Sequence, residues 1–437
     1  MKKLSMFQII LLAVFGALAV AGVLIFAFAV GGGNAKTLGS VTIWGTLDGG
    51  AFSTVLRAAA DNDASLNQVS YVQKDPQTYE TELTDALASG QGPDLFLMTQ
   101  EYAFKDAGKV VVIPFSSLSQ SKFESAFVEA ADSFIASDGI LGVPIIADPL
   151  VLYWNKDMFS SAGYSQPPAY WDQLFSMAQK LSVKDDAGSL LRSAIAFGEY
   201  RNIENAKDIL AMLILQAGGT ITAEDTSGKL QTALVSKGGG TSAQSTVSAL
   251  RFFTEFADPS KDDYSWNRSL PNSRSAFASG NLALYVGYAS EEAQIARMNP
   301  NLNFSIAPMP QIRTASRTLD TARVYAFAVP KTAKNPSSGI TVAFVLNSPE
   351  NAAALSQALG LPSARRDLLS RPASGDAELF NKMVITSHSW VDPDPLATAD
   401  IFRAMIEDTT SGATLINEAV SRADQQLGHL LSRLQQE

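Results

Sequence analysis

The stretch from Leu141 to Trp171 constrains the fold more than any other part of the chain. Pro144 and Pro149 exclude a regular helix here and confine the backbone to extended or turn conformations. Residues 151–154, which follow, are a run of apolar, strand-forming side chains. A single carboxylate, Asp148, stands at the entrance of this run. The pattern predicts a buried strand that the chain enters through a bend, with one charge where it changes direction.

Strands and helices alternate in the part of the chain before this stretch. Residues 41–44 are typical of a strand, residues 51–62 have the spacing of an amphipathic helix, and residues 94–98 are typical of a further strand. This order predicts an α/β fold in which helices cover both faces of a mainly parallel sheet. Ligands of such folds lie beyond the carboxyl ends of the strands. The polar side chains expected at those ends are Thr46, Asp48, Gln100, Glu101, Tyr102 and Asp148.

The composition excludes many classes of function. The 437 residues are too many for one ordinary core, so two lobes are expected. The net charge of −10 argues against nucleic acid as a partner, because neutralising phosphates needs a basic face. The chain has no cysteine and only two histidines, which excludes thiolate metal sites and leaves little material for histidine-based catalysis. Phosphate-binding, dinucleotide-binding and zinc-protease motifs do not occur. We therefore expect neither a cofactor nor a metal.

The N-terminal residues have the pattern of a membrane anchor. Lys2 and Lys3 precede an apolar run over residues 9–30, about the 20 residues that a helix needs to span hydrocarbon. The basic flank predicts that the rest of the chain lies outside the cytoplasm. A cleaved signal peptide is the alternative, since Ala27 and Ala29 flank a phenylalanine in the small-x-small form of a cleavage site. The length of the run favours a retained, single-pass anchor in the cell membrane.

A series of short motifs runs along nearly the whole chain after Lys36. The motifs are residues 41–44, 92–94, 142–144, 152–157, 162–163, 276–280, 307–310, 325–330 and 360–362. Together and in this order they resemble the extracellular solute-binding proteins of ABC importers, in the carbohydrate-type group, called family 1, that includes maltose-binding protein. The resemblance implies a two-lobed α/β fold of the periplasmic-binding-protein type, in which hinge segments let the lobes close on a ligand.

The resemblance also implies domain boundaries. Residues 1–37 would be the anchor or signal with its linker. Residues 38–147 and 307–347 would form the first lobe, and residues 148–306 and 348–437 the second. The chain would cross between the lobes near residues 147–150, 304–307 and 347–351. We expect such a protein to act as a monomer.

Candidate ligand contacts follow from the resemblance by position. Trp44 and Asp48 match the loop after the first strand, which contacts sugar hydroxyls in the family. Glu101 and Tyr102 match a ligand-contacting pair after the third strand. Asp148 matches an acidic cleft residue at the first crossing. The remaining candidates are Tyr288, as a stacking aromatic, and Tyr200, Trp266, Arg365 and Trp390 from approximate placement.

Two features depart from the pattern of the family. Gly49 replaces the basic residue that follows the first-loop acid in the maltose-binding type, which argues against maltose itself. The lipidated cysteine common in such proteins is absent, so the predicted helix would be the anchor. Plainer interpretations of the candidates also remain open. Aromatic side chains are more often core than ligand platform, Asp148 could be a turn acid bonded to backbone amides, and Arg365 could pair with a surface acid.

Three functions are compatible with these patterns. The favoured one is a membrane-tethered substrate-binding protein that captures a small solute, with a saccharide preferred, and delivers it to ABC transporter permease subunits without catalysis. A surface-anchored sensor or adhesive module of the same fold is the second. The third is a glycoside-active enzyme using a carboxylate pair such as Asp48 and Asp148. Asp392 and Asp394 form another pair that could serve calcium or glycosides, although loop pairs more often serve turns and solubility.

Overall fold

The structure is a computed structural model that describes residues 38–235 and 242–435. The predicted anchor over residues 9–30 lies outside the described residues. In the part of the chain that the structure describes, no helix is both long and apolar enough to cross a membrane.

Strands and helices alternate through most of the described chain. The strands are β1 (Val41–Gly45), β2 (Val69–Gln73), β3 (Leu95–Thr99), β4 (Ile113–Pro114), β5 (Ile135–Ala136), β6 (Gly139–Ile140), β7 (Val143–Asn155), β8 (Val183–Lys184), β9 (Leu190–Ile195), β10 (Thr222–Glu224), β11 (Leu230–Thr232), β12 (Leu282–Tyr288), β13 (Phe304–Ala307), β14 (Asp320–Ala328) and β15 (Ser387–His388). The helices are α1 (Gly49–Asn62), α2 (Tyr79–Ala88), α3 (Ala103–Asp106), α4 (Gln120–Ala126), α5 (Lys156–Ser161), α6 (Gln173–Leu181), α7 (Ala206–Gln216), α8 (Ser242–Glu255), α9 (Ser273–Ala278), α10 (Glu292–Met298), α11 (Pro336–Leu346), α12 (Pro349–Leu359), α13 (Arg366–Leu369), α14 (Asp376–Ile385), α15 (Pro395–Thr410) and α16 (Ile416–Leu434).

One sheet runs through both halves of the molecule, with the strand order β2-β1-β3-β14-β7-β12-β9-β8. Strand β13 also pairs with β7, and β15 pairs with β14. Strands β2 and β3 are both parallel to β1, as the alternation of strands and helices predicts. Strand β14 is antiparallel to both of its neighbours, β3 and β7. The long strands β7 and β14 therefore join the two halves of the sheet.

Strand β7 is shared by both halves. All 13 of its residues are buried. Its first part pairs with β14, and its second part pairs with β12 and β13. Pro149 lies where the partner changes, opposite Ala322 of β14 and one residue before the β12 ladder begins at Leu150. A residue without an N–H is tolerated at such a junction. The bend predicted at Pro149 is therefore a point inside one continuous strand.

Helices cover the sheet with the apolar faces that their sequences predict. In α1 the buried residues are Phe52, Val55, Leu56 and Ala59, which share one helical face. This helix packs on β2 and on α12. In the other half, α7 packs on α8, and α15 packs on α16. Each half thus has helices of its own around the shared sheet.

The lobe boundaries stay a prediction, and the contacts favour one change to them. Helix α12 packs on α1, and β15 pairs with the beginning of β14. These contacts favour placing residues 349–388 with the first strands. Helices α15 and α16 both pack on α8 in the second half. We therefore expect the third crossing between β15 and α15 rather than near residues 347–351.

Candidate functional site

A polar cavity lies between the two halves, next to the beginning of β14. Gln100 and Glu101 line it from the turn after β3, Lys207 and Asp208 from the first turn of α7, and Tyr288 from the end of β12. The other lining residues are Ala211, Leu215, Thr321, Ala322, His388, Ser389, Trp390 and Asp392. The cavity volume is about 40 Å³. Small-molecule pockets typically have roughly 300–1,000 Å³, so a sugar needs the halves to separate.

Arg323 of β14 stands at the centre of the charged groups beside this cavity. Its Nε lies 3.4 Å from Oε1 of Glu101, and a terminal nitrogen lies 3.5 Å from Oδ2 of Asp208. Its guanidinium group lies over the ring of Tyr288, 4.1 Å from the centroid. The buried Nε has no hydrogen-bond acceptor among the described residues, so its contact with Glu101 is a charge pair rather than a hydrogen bond. Arg323 thus links a carboxylate of the first half to a carboxylate and a ring of the second.

Tyr288 is fixed by three hydrogen bonds. Its hydroxyl donates to Oδ2 of Asp208 at 3.0 Å. Its backbone N–H donates to Oε1 of Glu291 at 2.9 Å. Its carbonyl accepts a hydrogen bond from the hydroxyl of Tyr153 at 2.7 Å. Because the backbone and the hydroxyl are both held, the ring has a defined orientation at the cavity, as a stacking platform requires.

Asp148 is buried at the crossing, with 1% of its surface exposed. Its Oδ1 accepts a hydrogen bond from the backbone N–H of Ser290 at 3.0 Å, whereas its Oδ2 has no partner within the described ranges. Burial raises the pKa of Asp148 to about 6, against the opposing effects of Ser290 and of the charge on Arg323. In the pairing of β7 with β14 it lies directly opposite Arg323. The two side chains therefore share one face of the sheet.

Burial also raises the pKa of other acids around the cavity. For Asp208 it outweighs the opposing charge of Arg323. It raises the pKa of Glu80, with help from neighbouring carboxylates, to about 7. It raises the pKa of Asp392 to about 6, although Lys207 acts in the other direction. The charge of this region therefore changes in mildly acidic solution. No three acidic or histidine side chains of residues 38–235 and 242–435 are placed to hold a metal ion.

Lys207 and Trp390 form the wall of the cavity in the second half. Lys207 makes an ion pair with Asp392, and its Nζ donates to Oγ1 of Thr398 at 2.8 Å. The same Nζ lies 5.5 Å from the ring centroid of Trp390. Trp390 stacks on Phe402 of α15, with 6.1 Å between the centroids. This wall is therefore internally satisfied, with the charge of Lys207 neutralised by Asp392.

The structure brings several of the sequence-predicted candidates to one place. Glu101, Tyr288 and Trp390 line the cavity. Tyr102 follows Glu101 in the same turn and is half-buried. Tyr200 is also half-buried, and burial together with the charge of Asp208 raises its pKa to about 12. Asp148, Tyr102 and Tyr200 are not among the lining residues of the cavity, although Asp148 lies opposite Arg323 in the sheet.

Trp44 and Asp48 have structural partners in the first half. The Nζ of Lys74 lies 3.8 Å from the ring centroid of Trp44, so the cation covers that face. Asp48 is exposed and caps α1, because its Oδ1 accepts a hydrogen bond from the N–H of Ala51 at 2.7 Å. Asp48 is thus engaged at a helix terminus while Asp148 is buried in the sheet. These environments do not favour the two as a catalytic carboxylate pair.

Trp266 and Arg365 also have structural partners. Trp266 is 1% exposed, and its indole N–H donates to Oδ1 of Asn202 at 3.1 Å. Arg365 makes an ion pair with Asp367 at 2.9 Å and donates to the carbonyl of Asn347 at 2.9 Å. The first is a core side chain, and the second holds a helix terminus to the loop beside it. We include neither in the proposed site.

Sequence reasoning missed Lys207, Asp208 and Arg323. Arg323 lies two residues before the motif over residues 325–330, and a charge next to that apolar run was the available signal. Asp208 is an acid in the first turn of a helix that is otherwise mostly apolar. The hydrogen bond from Tyr288 to Asp208 joins residues 80 positions apart. Local patterns carry no information about contacts of that kind.

The sequence of the chain is similar to those of known binding proteins. A profile of the bacterial extracellular solute-binding proteins matches residues 56–353. A binding protein of Brucella abortus (strain 2308) is 31% identical over 101 residues, which is 23% of this chain and 25% of that protein. The match therefore spans a quarter of the length of that relative.

Solved structures share the fold over most of the chain. The cyclic α-maltosyl-1,6-maltose binding protein of Arthrobacter globiformis has a TM-score of 0.72 at 16% identity, covering 90% of this chain and 99% of that one. An ABC transporter solute-binding protein of Thermotoga lettingae, bound to α-D-tagatose, has a TM-score of 0.66 at 19% identity, covering 90% of this chain and 99% of that one. The maltotriose-binding protein of Thermus thermophilus, bound to maltotriose, has a TM-score of 0.65 at 16% identity, covering 89% of this chain and 99% of that one. The predicted two-lobed α/β fold is confirmed.

Proposed function

We propose, since the chain belongs to the family of bacterial extracellular solute-binding proteins, that it captures a saccharide between its two halves and delivers it to an ABC permease. One observation carries the proposal. Between the halves, the ring of Tyr288 lies next to the carboxylates of Glu101 and Asp208, which come from different halves. A ligand that contacts all three would hold the halves together.

The chemistry of these groups suits a saccharide. A flat aromatic ring packs against the C–H face of a sugar, and carboxylates and amides accept and donate hydrogen bonds to neighbouring hydroxyls. Tyr288 and Trp390 supply the rings, and Gln100, Glu101 and Asp208 supply the polar groups. Proteins of the same fold bind maltotriose and α-D-tagatose, which supports the same ligand class here.

Binding and release require no chemical step. Opening at the junction in β7 would admit the ligand, and closure would surround it. The free energy of the contacts made only when the halves are together would shift the equilibrium toward closure. The permease would reverse this shift on docking. The protein would act as a monomer, without a cofactor, outside the cytoplasm.

The proposed tether is the apolar run over residues 9–30, kept as a single-pass anchor in the cell membrane. A retained helix would hold the binding protein close to its permease, which raises the effective concentration of the pair. Detergent-phase partitioning of the full chain tests the tether. Recovery of a shortened chain in the aqueous phase would mean that the run is a cleaved signal.

A thermal-unfolding screen with D-tagatose, maltotriose and a set of peptides tests the ligand class. A ligand at 100 times its Kd stabilises the folded protein by about 2.7 kcal/mol, which is a clear rise in Tm. We expect a rise with a saccharide and no rise with peptides. A rise with peptides alone would contradict the saccharide assignment. Cellular uptake of the bound saccharide, measured with and without the gene, tests delivery to a permease.

A further inference from the structure

Arg323 occupies the aromatic surface that the proposed function assigns to the ligand. Its guanidinium group lies 4.1 Å from the ring centroid of Tyr288. The cavity beside the ring has only about 40 Å³, which is too small for a sugar while Arg323 covers the ring. We propose that Arg323 is an internal competitor for this surface and thereby sets the affinity of the cleft. The inference rests on the proposed function.

The contacts of Arg323 join the two halves. Glu101, 3.4 Å away, follows β3 in the first half, whereas Asp208, 3.5 Å away, begins α7 in the second. Because β14 pairs with β3 in the first half, separation of the halves removes the contact with Asp208 and the stacking on Tyr288 but keeps the contact with Glu101. Arg323 thus stabilises a ligand-free arrangement with the halves together, in which it covers the ring of Tyr288 and leaves too little room for a sugar. The apparent Kd equals the intrinsic Kd divided by the fraction of molecules that are open, so Arg323 weakens binding.

The same contacts are loose enough to be replaced. Both charge pairs are longer than the 2.7–3.2 Å typical of an N–H···O hydrogen bond. The Nε–H of Arg323 is not directed at any acceptor of the described chain. About a quarter of its side chain, 26%, is open to solvent. Charge and stacking hold the group in place, and a ligand that supplies its own contacts to Glu101 and Asp208 can displace it.

The distance between the halves tests the inference without any ligand. The chain has no cysteine, so Ala58→Cys in α1 and Gln179→Cys in α6, both at exposed positions, give two specific spin labels. Pulsed electron resonance on the full chain would then compare the parent with Arg323→Gln and Arg323→Lys. We expect Arg323→Gln to shift the distance distribution toward the open arrangement, and Arg323→Lys to shift it less, because it keeps the charge but loses the planar group. An unchanged distribution in Arg323→Gln overturns the inference.

Arg313→Gln is the matched control. The guanidinium group of Arg313 lies 4.2 Å from the ring centroid of Tyr170, and its Nε lies 2.8 Å from Oδ2 of Asp172. This is the same combination of stacking and charge at an exposed place, and backbone hydrogen bonds of Gln311 with residues 169 and 171 attach the segment beside Arg313 to the second half, where Tyr170 and Asp172 lie. We expect Arg313→Gln to leave the distance distribution unchanged. A shift as large as that of Arg323→Gln would mean that the label distance does not report on Arg323, and would overturn the inference.

The affinity for saccharide gives a second test, in which loss of Arg323 should strengthen binding rather than weaken it. With whichever of D-tagatose or maltotriose raises the Tm of the parent, titration calorimetry should show Arg323→Gln binding about threefold to tenfold more tightly than the parent and Arg313→Gln. Equal or weaker binding by Arg323→Gln would show that Arg323 does not compete with the ligand, and would overturn the inference. If neither saccharide binds any of the proteins, the proposed function fails, while the spin-label distances still decide whether Arg323 holds the halves together.

Discussion

Arg274 and Arg323 are both placed among two carboxylates and a tyrosine, but they hold them differently. The Nε of Arg274 lies 2.7 Å from Oε2 of Glu291, and a terminal nitrogen lies 2.6 Å from Oε1 of Glu204. The corresponding distances at Arg323 are 3.4 and 3.5 Å, and its Nε has no acceptor among the described residues. The partners of Arg274 all belong to the second half, whereas those of Arg323 come from both. The short contacts of Arg274 make a rigid network within one half, whereas the long contact of Arg323 with Asp208 connects the two halves.

The network around Arg274 and Glu291 also positions the ring of Tyr288. Glu291 pairs with Arg274 and accepts a hydrogen bond from the hydroxyl of Tyr285. Its other oxygen accepts hydrogen bonds from the N–H of Tyr288 at 2.9 Å and from the side chain of Asn205 at 3.0 Å. The tight network thus fixes the ring over which Arg323 lies. We expect substitutions in the network around Arg274 to change the free energy of unfolding, and substitutions among the contacts of Arg323 and Tyr288 to change ligand affinity.

Arg274→Gln should have the largest effect. It leaves the buried carboxylate of Glu291 without its cation, which costs about 3 kcal/mol in the free energy of unfolding. Equilibrium urea unfolding measures this. Arg422→Gln is the control, because the side chains of Arg422 and its partner Asp408 are 52% and 33% exposed, so its loss should cost less than about 1 kcal/mol. Equal losses in the two variants would remove the distinction between a buried network and an exposed pair.

Asp148→Asn should change how stability depends on pH. The folded-state pKa of about 6 lies above the ordinary value of about 3.9, so the folded protein keeps a proton that the unfolded chain releases. That proton stabilises the fold fully below about pH 4, and its contribution is lost as the pH rises through 6. Between pH 4 and 7, the free energy of unfolding of the parent should fall by about 2 kcal/mol more than that of Asp148→Asn. Parallel curves would mean that the carboxyl of Asp148 titrates normally.

Tyr288→Ala should weaken saccharide binding about tenfold, equivalent to about 1.4 kcal/mol, because the stacking surface and the hydroxyl beside Asp208 are both lost. Titration calorimetry measures the change. Tyr264→Ala is the control, since Tyr264 lies under Lys184 at 5.1 Å, outside the cleft. If the two variants bind the saccharide equally well, the ring of Tyr288 has a structural role and does not contact the ligand.

Asp48→Ala should have the smallest effect. It removes the cap of α1, which costs about 1 kcal/mol in the free energy of unfolding. We expect the affinity for saccharide to stay within a factor of two. Urea unfolding and calorimetry on the same preparation separate the two quantities. A loss of affinity larger than the loss of stability would place Asp48 among the ligand contacts, as its resemblance to the first-strand loop of the family implies.

The sequence predicted the parts of the site that depend on local pattern. The strand over residues 94–98 and the polar turn after it that contains Glu101 follow from an apolar run bounded by polar residues. The parallel start of the sheet follows from the alternation of strands and helices. The continuity of β7 through Pro149 does not, because it depends on the change of partner from β14 to β12 at this residue, and both partners are distant in sequence.

What decides the role of each predicted aromatic is what packs over it. Trp266 and Tyr288 look alike in sequence, each being an aromatic near a glycine or a loop. The first is enclosed by its own half, and the second faces the other half across Arg323. Arg323 was missed for the same reason, since its partners Glu101 and Asp208 lie far away along the chain. Contacts between residues so far apart in sequence form only when the sheet is assembled.

The position of β14 between β3 and β7 has a consequence for the order in which the chain assembles. The N–H of Val324 donates to the side chain of Gln100, 224 residues earlier. The first half therefore cannot complete its part of the sheet until about three quarters of the chain has been made. Contacts of such sequence separation form slowly. For a member of an extracellular family, this delay would keep the emerging part incompletely folded until β14 is available.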